Sequence, residues 1–464
     1  CVVLQKSLNS FLLNYQLLHS ELGPEKLKAF HERTGAPIHP AYATPQLLAF
    51  YRNEQNNSMF RQIEKWQTIS SICLHRWCGK PYLQMPISYC EASWTGMLDF
   101  RTCAWDDEVV ELLEKCEDAI NRLDDNAIDD DDASEHIELL PPVVDYDAEL
   151  CFLQSGIPQY CGDGSINTYW ERWPELRSRS LSLFLGVGDG ASANVGSKCG
   201  SLSTSVSHRI AVTIGTSAAA RVCLPLPIQE KSTPIVPPGL FCYRLDRDRV
   251  LLGGALTDGG SVVEWARSLL NLQSDESFEA CLEKVRDMYE KRCTTSPADR
   301  LASSSVTMIP FLSGERSTGF RGGAVGCLSG ITRETSAADL MYACLESVIL
   351  RIGCVLKLMN GVCCSQQAEY KSSQGIIVAS GNALERNSLW RQMLADCSSM
   401  DVVIDCDSRE GTSRGVAMLM AGSMRQREGQ TYNFEEPLEV AHESKTNTSS
   451  PGIQDHWRVA RLSQ

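Results

Sequence analysis

The spacing of apolar positions changes along the chain, and the changes outline its helices and strands. Leu12, Leu13, Leu17 and Leu18 recur at near-helical spacing within residues 1–30, where Pro24 opens a second helix. His31–Tyr42 (H-E-R-T-G-A-P-I-H-P-A-Y) is punctuated by Gly35, Pro37 and Pro40 and reads as a loop, followed by a helix over Pro45–Arg52. Ser93–Asp99 and Trp105-Asp106 read as a turn and a helix start. Leu181–Leu185 is a short buried strand. Ala211–Val222 carries two β-type runs about Gly215-Thr216-Ser217, the pattern of a hairpin with a small-residue turn. Val262, Val263, Trp265 and Ala266 mark an amphipathic helix over Ser261–Leu270. Beyond Gly326–Gly330 a strong helix is predicted to about Leu358, then a strand at Ile376–Ser380, a helix at Ser388–Cys397, a strand at Val402–Ile404 and a small-residue helix at Ser413–Met424. From Gln426 onward small and polar residues dominate, and a loosely held tail is expected.

Composition narrows the class. A chain of 464 residues exceeds the usual single core and predicts two domains. Its 43% hydrophobic and 22% charged residues are ordinary for a soluble globular protein. A net charge of −15 argues against nucleic-acid and anionic-membrane partners. Much of that charge lies in Asp124–Glu135, which lacks the alternating ligands and central glycine of a calcium loop and reads as a solvated insertion. The twenty cysteines are scattered without zinc spacing. Cys73, His75 and Cys78 sit in an apolar, tryptophan-bearing segment and read as buried thiols, so a reducing cytoplasm is expected. No apolar run reaches transmembrane length. The chain opens on Cys1, so a start and any targeting segment before it are expected to be missing.

The chemistry centres on Leu183–Gly196 (L-F-L-G-V-G-D-G-A-S-A-N-V-G). Its strand ends in Gly186, Gly188 and Gly190 with one carboxylate, Asp189, among them. Glycines permit a tight turn and close approach of a ligand. An acid so placed suits proton removal from a bound hydroxyl, although glycine-flanked aspartates also cap ordinary helices. The Gly215–Ser217 turn offers N–H groups and hydroxyls to a phosphate, or is simply a hairpin. Gly186-x-Gly188 lacks the third glycine of a dinucleotide fingerprint.

Three stretches then converge. Gly326-x-Leu328-x-Gly330-Ile331 with Asp339-Leu340-x-x-Ala343-x-Leu345-Glu346 closely resembles the second signature of the FGGY carbohydrate kinases, Cys344 being its unusual residue. Pro310–Ser317 (P-F-L-S-G-E-R-S) resembles the G-E-R segment of gluconate and xylulose kinases. Ser380-Gly381-Asn382 with Trp390-x-Gln392-Met393-x-Ala395-Asp396 is similar to their adenine loop. Within the family, Thr34-Gly35-Ala36-Pro37-Ile38-His39-Pro40-x-Tyr42 looks most like the gluconate kinase branch.

The resemblance implies a two-lobed, actin-like (ribonuclease H-like) ATPase fold of α/β lobes with mixed sheets, ATP and sugar meeting in the cleft. Residues 1–205 would be the remainder of a first, sugar-side lobe, residues 206–430 a nucleotide-side lobe, and 431–464 a tail. Asp189 would be the general base. Gly215, Thr216 and Ser217 would hold the ATP phosphates. Gly260 and Glu264 would lie near the nucleotide and Gly381, Asn382 and Arg386 around adenine, so that valine at 381 would block adenine. His39 and Tyr42 would face the sugar beside Asp189. ATP and Mg²⁺ are implied, with no residue assigned to the metal. The implied reaction is ATP-dependent phosphorylation of D-gluconate to 6-phosphogluconate, a pentulose such as xylulose being the alternative substrate. A different alternative is a non-catalytic relative that binds without turnover. The partner is a small sugar or sugar acid rather than nucleic acid or membrane, and a homodimer is left open.

Three departures accompany the resemblance. The family's D-x-G-T-[ST] phosphate hairpin is absent, and no W-x-D/N-R stretch occurs in residues 1–30. The first lobe is therefore expected to be truncated, and this chain alone is expected to turn over poorly. Asn382 replaces the second glycine of the adenine loop, which asparagine's tolerance of left-handed backbone accommodates.

Overall fold

Helix α1, residues 22–34, runs four residues into the stretch expected to be loop, because the Thr34 hydroxyl closes its last turn on the Phe30 carbonyl at 2.9 Å. The computed structural model describes residues 22–429 apart from 61, 122–138, 156–158, 162, 201–208, 229–234, 295–305, 367–374 and 406–409. The helix about Leu12–Leu18, the Asp124–Glu135 insertion and the expected tail beyond Gly429 lie outside the described residues, whereas Gln426 and Arg427, where that tail is expected to begin, still close a helix. The chain divides into two units. One comprises Cys1–Ala191, Pro225–Thr233 and Cys242–Val250; the other comprises Ser192–Leu224, Pro234–Phe241 and Leu251–Gln464.

In the first unit α2 (Ala43–Tyr51) buries Leu47, Leu48, Phe50 and Tyr51 against Phe30, Ile38, Met97, Val109 and Leu113. Full burial of each such side chain contributes about 1.5–3 kcal/mol. The short α3 (Asn57–Phe60) is followed by α4 (Ile69–Cys78), capped by Thr68, whose side chain accepts from the Ser71 N–H. Strand β1 (Ile87–Ser88) leads directly into α5 (Tyr89–Trp94), whose N-cap Ser88 accepts from the Glu91 N–H. Trp94 thus ends a helix rather than sitting in a turn. The hairpin β2 (Leu98–Asp99) and β3 (Ala104–Trp105) follows, then α6 (Asp107–Asn121). Asp106 caps that helix at the Val109 N–H and pairs with Arg33 at 2.6 Å. Strand β4 (Val143–Val144) lies parallel to β1, and β5 (Glu149–Leu153) runs antiparallel to β6 (Leu181–Phe184), with α7 (Pro174–Arg177) between them in sequence. Helix α8 (Asp189–Gly196) begins in this unit and continues into the second.

The second unit is built on most of a six-stranded mixed sheet, of which Pro225 and residues 242–244 and 249–250 belong to the first unit. Its strands are β7 (Arg209–Ile214), β8 (Ala218–Pro225), β9 (Phe241–Arg244), β10 (Arg249–Leu256), β13 (Ile376–Ser380) and β14 (Asp401–Ile404), in the order β14-β13-β7-β8-β10-β9. Strand β13 is parallel to β14 and β7, whereas β7 and β8 form an antiparallel hairpin. Helices α9 (Gly260–Leu269) and α10 (Asp275–Thr294) follow β10, and β11 (Thr307–Ile309) pairs with β12 (Cys327–Ser329). Helix α11 (Ala337–Gln366) continues eight residues past the predicted end, since Met359, Val362 and Cys363 stay buried. Helices α12 (Asn382–Arg386), α13 (Ser388–Ser398) and α14 (Gly411–Arg427) complete the unit. The Trp390 indole N–H donates to the Leu345 carbonyl at 3.0 Å, locking α13 to α11. The cysteines with described side chains are free thiols. Among the described residues no helix is long and apolar enough to cross a membrane.

Candidate functional site

Strand β6 gives way at Leu185 to a backbone stretch, residues 186–188, that lies on helix α5. The Ser88 hydroxyl donates to the Gly186 carbonyl at 2.6 Å, and the Gly188 N–H donates to Cys90 Sγ at 3.4 Å. A Cβ on Gly186 would stand 3.0 Å from the Glu91 carboxyl and from Ser70; one on Gly188 would stand 2.8 Å from Trp94 Cε2. Side chains of the protein itself thus crowd the space that a side chain at either position would need. Burial pushes the Glu91 carboxyl above its ordinary value, opposed by hydrogen bonds from Ser70 and Thr68. Burial likewise pushes the Cys90 thiol up to about 12, so it acts as a neutral acceptor. Asp189, the first residue of α8, is exposed, and its Oδ1 accepts from the Gly190 N–H at 2.7 Å.

His39 and Tyr42 reach this strand end through other rings. The His39 ring meets Tyr42 edge-on at 6.5 Å, the Tyr42 and Tyr243 hydroxyls are hydrogen-bonded, and Tyr243 lies 5.6 Å from Trp94. Both His39 and Tyr42 are buried. Tyr243 carries no signal in the sequence that would single it out; Trp94 is visible in S-W-T-G, but its partner Gly188 is 94 positions away.

In the second unit the β7–β8 turn is as compact as the sequence predicts, with Ile214 opposite Ala218 and the Gly215 N–H engaged on the Ser217 carbonyl at 2.9 Å. Thr216 and Ser217 are exposed. The start of α9 seats on this turn: Gly259 N–H donates to Thr216 O at 2.8 Å and Gly260 N–H to Gly215 O at 2.7 Å. Gly381 joins them from β13, where Ser380 pairs with Thr213. Its φ of +93° is in the region that favours glycine, and a Cβ there would lie 2.5 Å from the Ile214 carbonyl. Valine at 381 would thus collide with the sheet before any question of adenine arises, which corrects the sequence expectation. Gly215, Thr216, Ser217, Gly260 and Gly381 therefore share one place. Glu264, Asn382 and Arg386 are exposed on α9 and α12, the helices that start there.

Sequence reading missed Asp258. It is buried, accepts from the Ser313 N–H at 2.7 Å, and takes the Ser261 hydroxyl at 3.0 Å. It thereby ties P-F-L-S-G-E-R to the start of α9. Deeper in that segment, Glu315 pairs with Arg351, which also donates to the Ser317 carbonyl at 2.9 Å. Among the described residues no group of three or more His, Cys, Asp or Glu could hold a metal ion.

Residues 210–424 match the model of the FGGY family of carbohydrate kinases, C-terminal domain. The chain is 24% identical to a gluconokinase of Bacillus licheniformis over 398 residues, 84% of this chain and 64% of that protein. It is 23% identical to a xylulose kinase of Klebsiella pneumoniae over 399 residues, 86% and 67% of the two chains. It thus spans about two thirds of the length of these relatives. The crystal structure of gluconate kinase from Lactobacillus acidophilus superposes with a TM-score of 0.69 at 21% identity, covering 98% of this chain and 76% of that one. That likeness speaks for the fold: it is the actin-like ATPase fold of sugar kinases, α/β with mixed sheets.

Proposed function

We propose that the chain acts as a carbohydrate kinase of the FGGY type, transferring the γ-phosphoryl group of ATP to a sugar or sugar acid, D-gluconate first among them. The observation that carries this reading is Asp189, an exposed carboxylate at the start of α8 whose preceding backbone is held by α5. As a general base it takes the proton of the substrate hydroxyl while the hydroxyl oxygen attacks the γ-phosphorus. The bond from phosphorus to the bridging oxygen breaks, ADP leaves with that electron pair, and Asp189 releases the proton to solvent. Thr216 and Ser217, exposed on their turn, offer hydroxyls to the nucleotide phosphates, and Gly260 and Gly381 let backbone come close around them. Glu264, Asn382 and Arg386 line the nucleotide side in this reading, and His39 and Tyr42 the sugar side. With no protein cage for a cation among the described residues, Mg²⁺ fits as an ion held chiefly by nucleotide phosphates and water. When bound, it neutralises charge on the transferring group. The reading puts the protein in the cytoplasm, where ATP is available.

A pentulose is the second reading, supported by the similarity to the Klebsiella pneumoniae xylulose kinase. The test is ADP release from ATP and Mg²⁺ across a panel of sugars and sugar acids, with wild type and Asp189→Asn. Slow turnover with gluconate, as expected of this chain alone, reduced about 10²–10⁴-fold further by Asp189→Asn while ATP affinity holds, is the expected result. Preference for xylulose moves the assignment to the second reading, and an unaffected Asn variant removes Asp189 as base. Nucleotide binding without turnover on any sugar leaves a non-catalytic relative.

A further inference from the structure

We propose that Trp94 is a positioning residue for Asp189, acting through Gly188; the proposal rests on the kinase reading of Asp189. Trp94 closes α5, and its Cε2, Cζ2 and Cδ2 atoms lie 2.8, 3.0 and 3.2 Å from the point a Cβ on Gly188 would occupy. The indole is thus in van der Waals contact with the backbone one residue before the carboxylate. Two of the other contacts from α5 and its cap act further back, and one meets Gly188 itself. Ser88 holds the Gly186 carbonyl, Glu91 abuts Gly186, and Cys90 accepts the Gly188 N–H at 3.4 Å, a single contact to which the Trp94 ring adds its face.

Packing, not hydrogen bonding, holds the ring. The Trp94 indole N–H is buried and has no acceptor among the described residues. An unsatisfied buried donor costs about 1–3 kcal/mol, a penalty phenylalanine would not incur. Stability alone therefore does not explain a tryptophan here; its larger outline does. That outline is braced by Tyr243, whose ring centroid is 5.6 Å away and tilted by 42° and whose hydroxyl is bonded to that of Tyr42. Tyr42 in turn packs beside Gly96 in the turn after α5, its Cβ 3.3 Å from where a Cβ on Gly96 would be. One continuous run of ring contacts, edge-on from Tyr42 to Tyr243 and tilted from Tyr243 to Trp94, thereby backs the peptide that presents Asp189. Since a shift of about 1 Å in a reacting group can lower a rate about 10²-fold, the outline of this ring sets the efficiency of the base.

The experiment uses the full chain and the variants Trp94→Ala, Trp94→Phe, Gly188→Ala and Asp189→Asn, singly and combined with Asp189→Asn. Turnover is followed with ATP, Mg²⁺ and gluconate, ATP affinity by calorimetry and folding by thermal unfolding. Trp94→Ala should lower kcat about 10²-fold with ATP affinity unchanged, and Trp94→Phe, with a planar ring in place, should regain most of that loss. Gly188→Ala drives a methyl group into the ring's position and should give a similar loss, which keeps the test decisive if Trp94→Ala does not fold. In the Asp189→Asn background neither change should reduce the rate further, a non-additivity that a purely structural role would not produce. Folded variants at the wild-type rate, or losses that multiply with Asp189→Asn, overturn the proposal. A wild-type chain that phosphorylates nothing overturns the kinase reading itself and the positioning role with it.

Discussion

Glu91 shows how one residue under the site couples to pH. Its carboxyl is held above the ordinary value of 4.5 chiefly by burial, and its Oε2 is buried with no partner. As pH rises past 4.5 the unfolded chain ionises this group first while the folded chain retains the proton, which favours unfolding. The contribution of Glu91 to stability is therefore complete below that pH and is lost as pH climbs through the raised folded value. Urea unfolding across pH should show wild type losing stability relative to Glu91→Gln over that interval; parallel curves would mean Glu91 ionises normally. Arg351 makes a different case. Its guanidinium lies 5.0 Å over the Phe311 ring and pairs with Glu315, both members of the pair being largely buried. Arg351→Ala leaves that carboxylate without its counter-charge, although the Gly319 N–H still reaches it at 3.1 Å. The expected loss is about 3–5 kcal/mol, read from the urea midpoint, and a loss below about 1 kcal/mol would show the pair to be solvated.

Among the elements, α11 invites a paired test because two of its glycines face opposite environments. A Cβ on Gly353 would stand 2.6 Å from Cys397 Sγ on α13, whereas Gly361 is exposed with nothing within 4 Å. Gly361→Ala should stabilise the protein by roughly 0.5–1 kcal/mol through helix propensity. Gly353→Ala should destabilise it by about 1–3 kcal/mol, because α11 and α13 must part to admit the methyl group. Differential scanning calorimetry of both variants checks the pair, and shifts of the same sign would show that α11 does not pack on α13 as described.

At the scale of the molecule, the residues proposed for the two ligands fall in different units. Asp189, His39 and Tyr42 belong to one; Gly215–Ser217, Gly260 and Gly381 belong to the other. Amide hydrogen exchange should separate them. ADP should slow exchange around residues 213–218, 258–262 and 380–384, and gluconate around 186–191 and α5. A ligand binding only the folded state at one hundred times its Kd adds about 2.7 kcal/mol, enough to slow exchange clearly where opening is global. Protection by gluconate concentrated on the β7–β8 turn would reverse the assignment of sides.

Local patterns determined much of this protein. The strand before Asp189, the Gly215–Ser217 hairpin turn, the strand leading to Gly381 and the helix after Ser388 are all short-range signals, set by residue alternation and by glycine at turns. The candidate carboxylate and the Gly215–Ser217 turn were legible for the same reason. Boundaries were less so: α1 persists to Thr34 through a side-chain bond, and α11 outruns its prediction because neighbours bury its last turns. What only the tertiary structure decided is why particular residues stand where they do. Gly186 and Gly188 look like a ligand loop in sequence, yet Glu91 and Trp94, more than ninety positions earlier, fill the space beside them. Asp258 looks like a turn residue until Ser313 is folded onto it, and Gly381 is fixed by the carbonyl of Ile214. These constraints are steric contacts and hydrogen bonds between distant segments, and no periodicity within either segment encodes which partner the other will be.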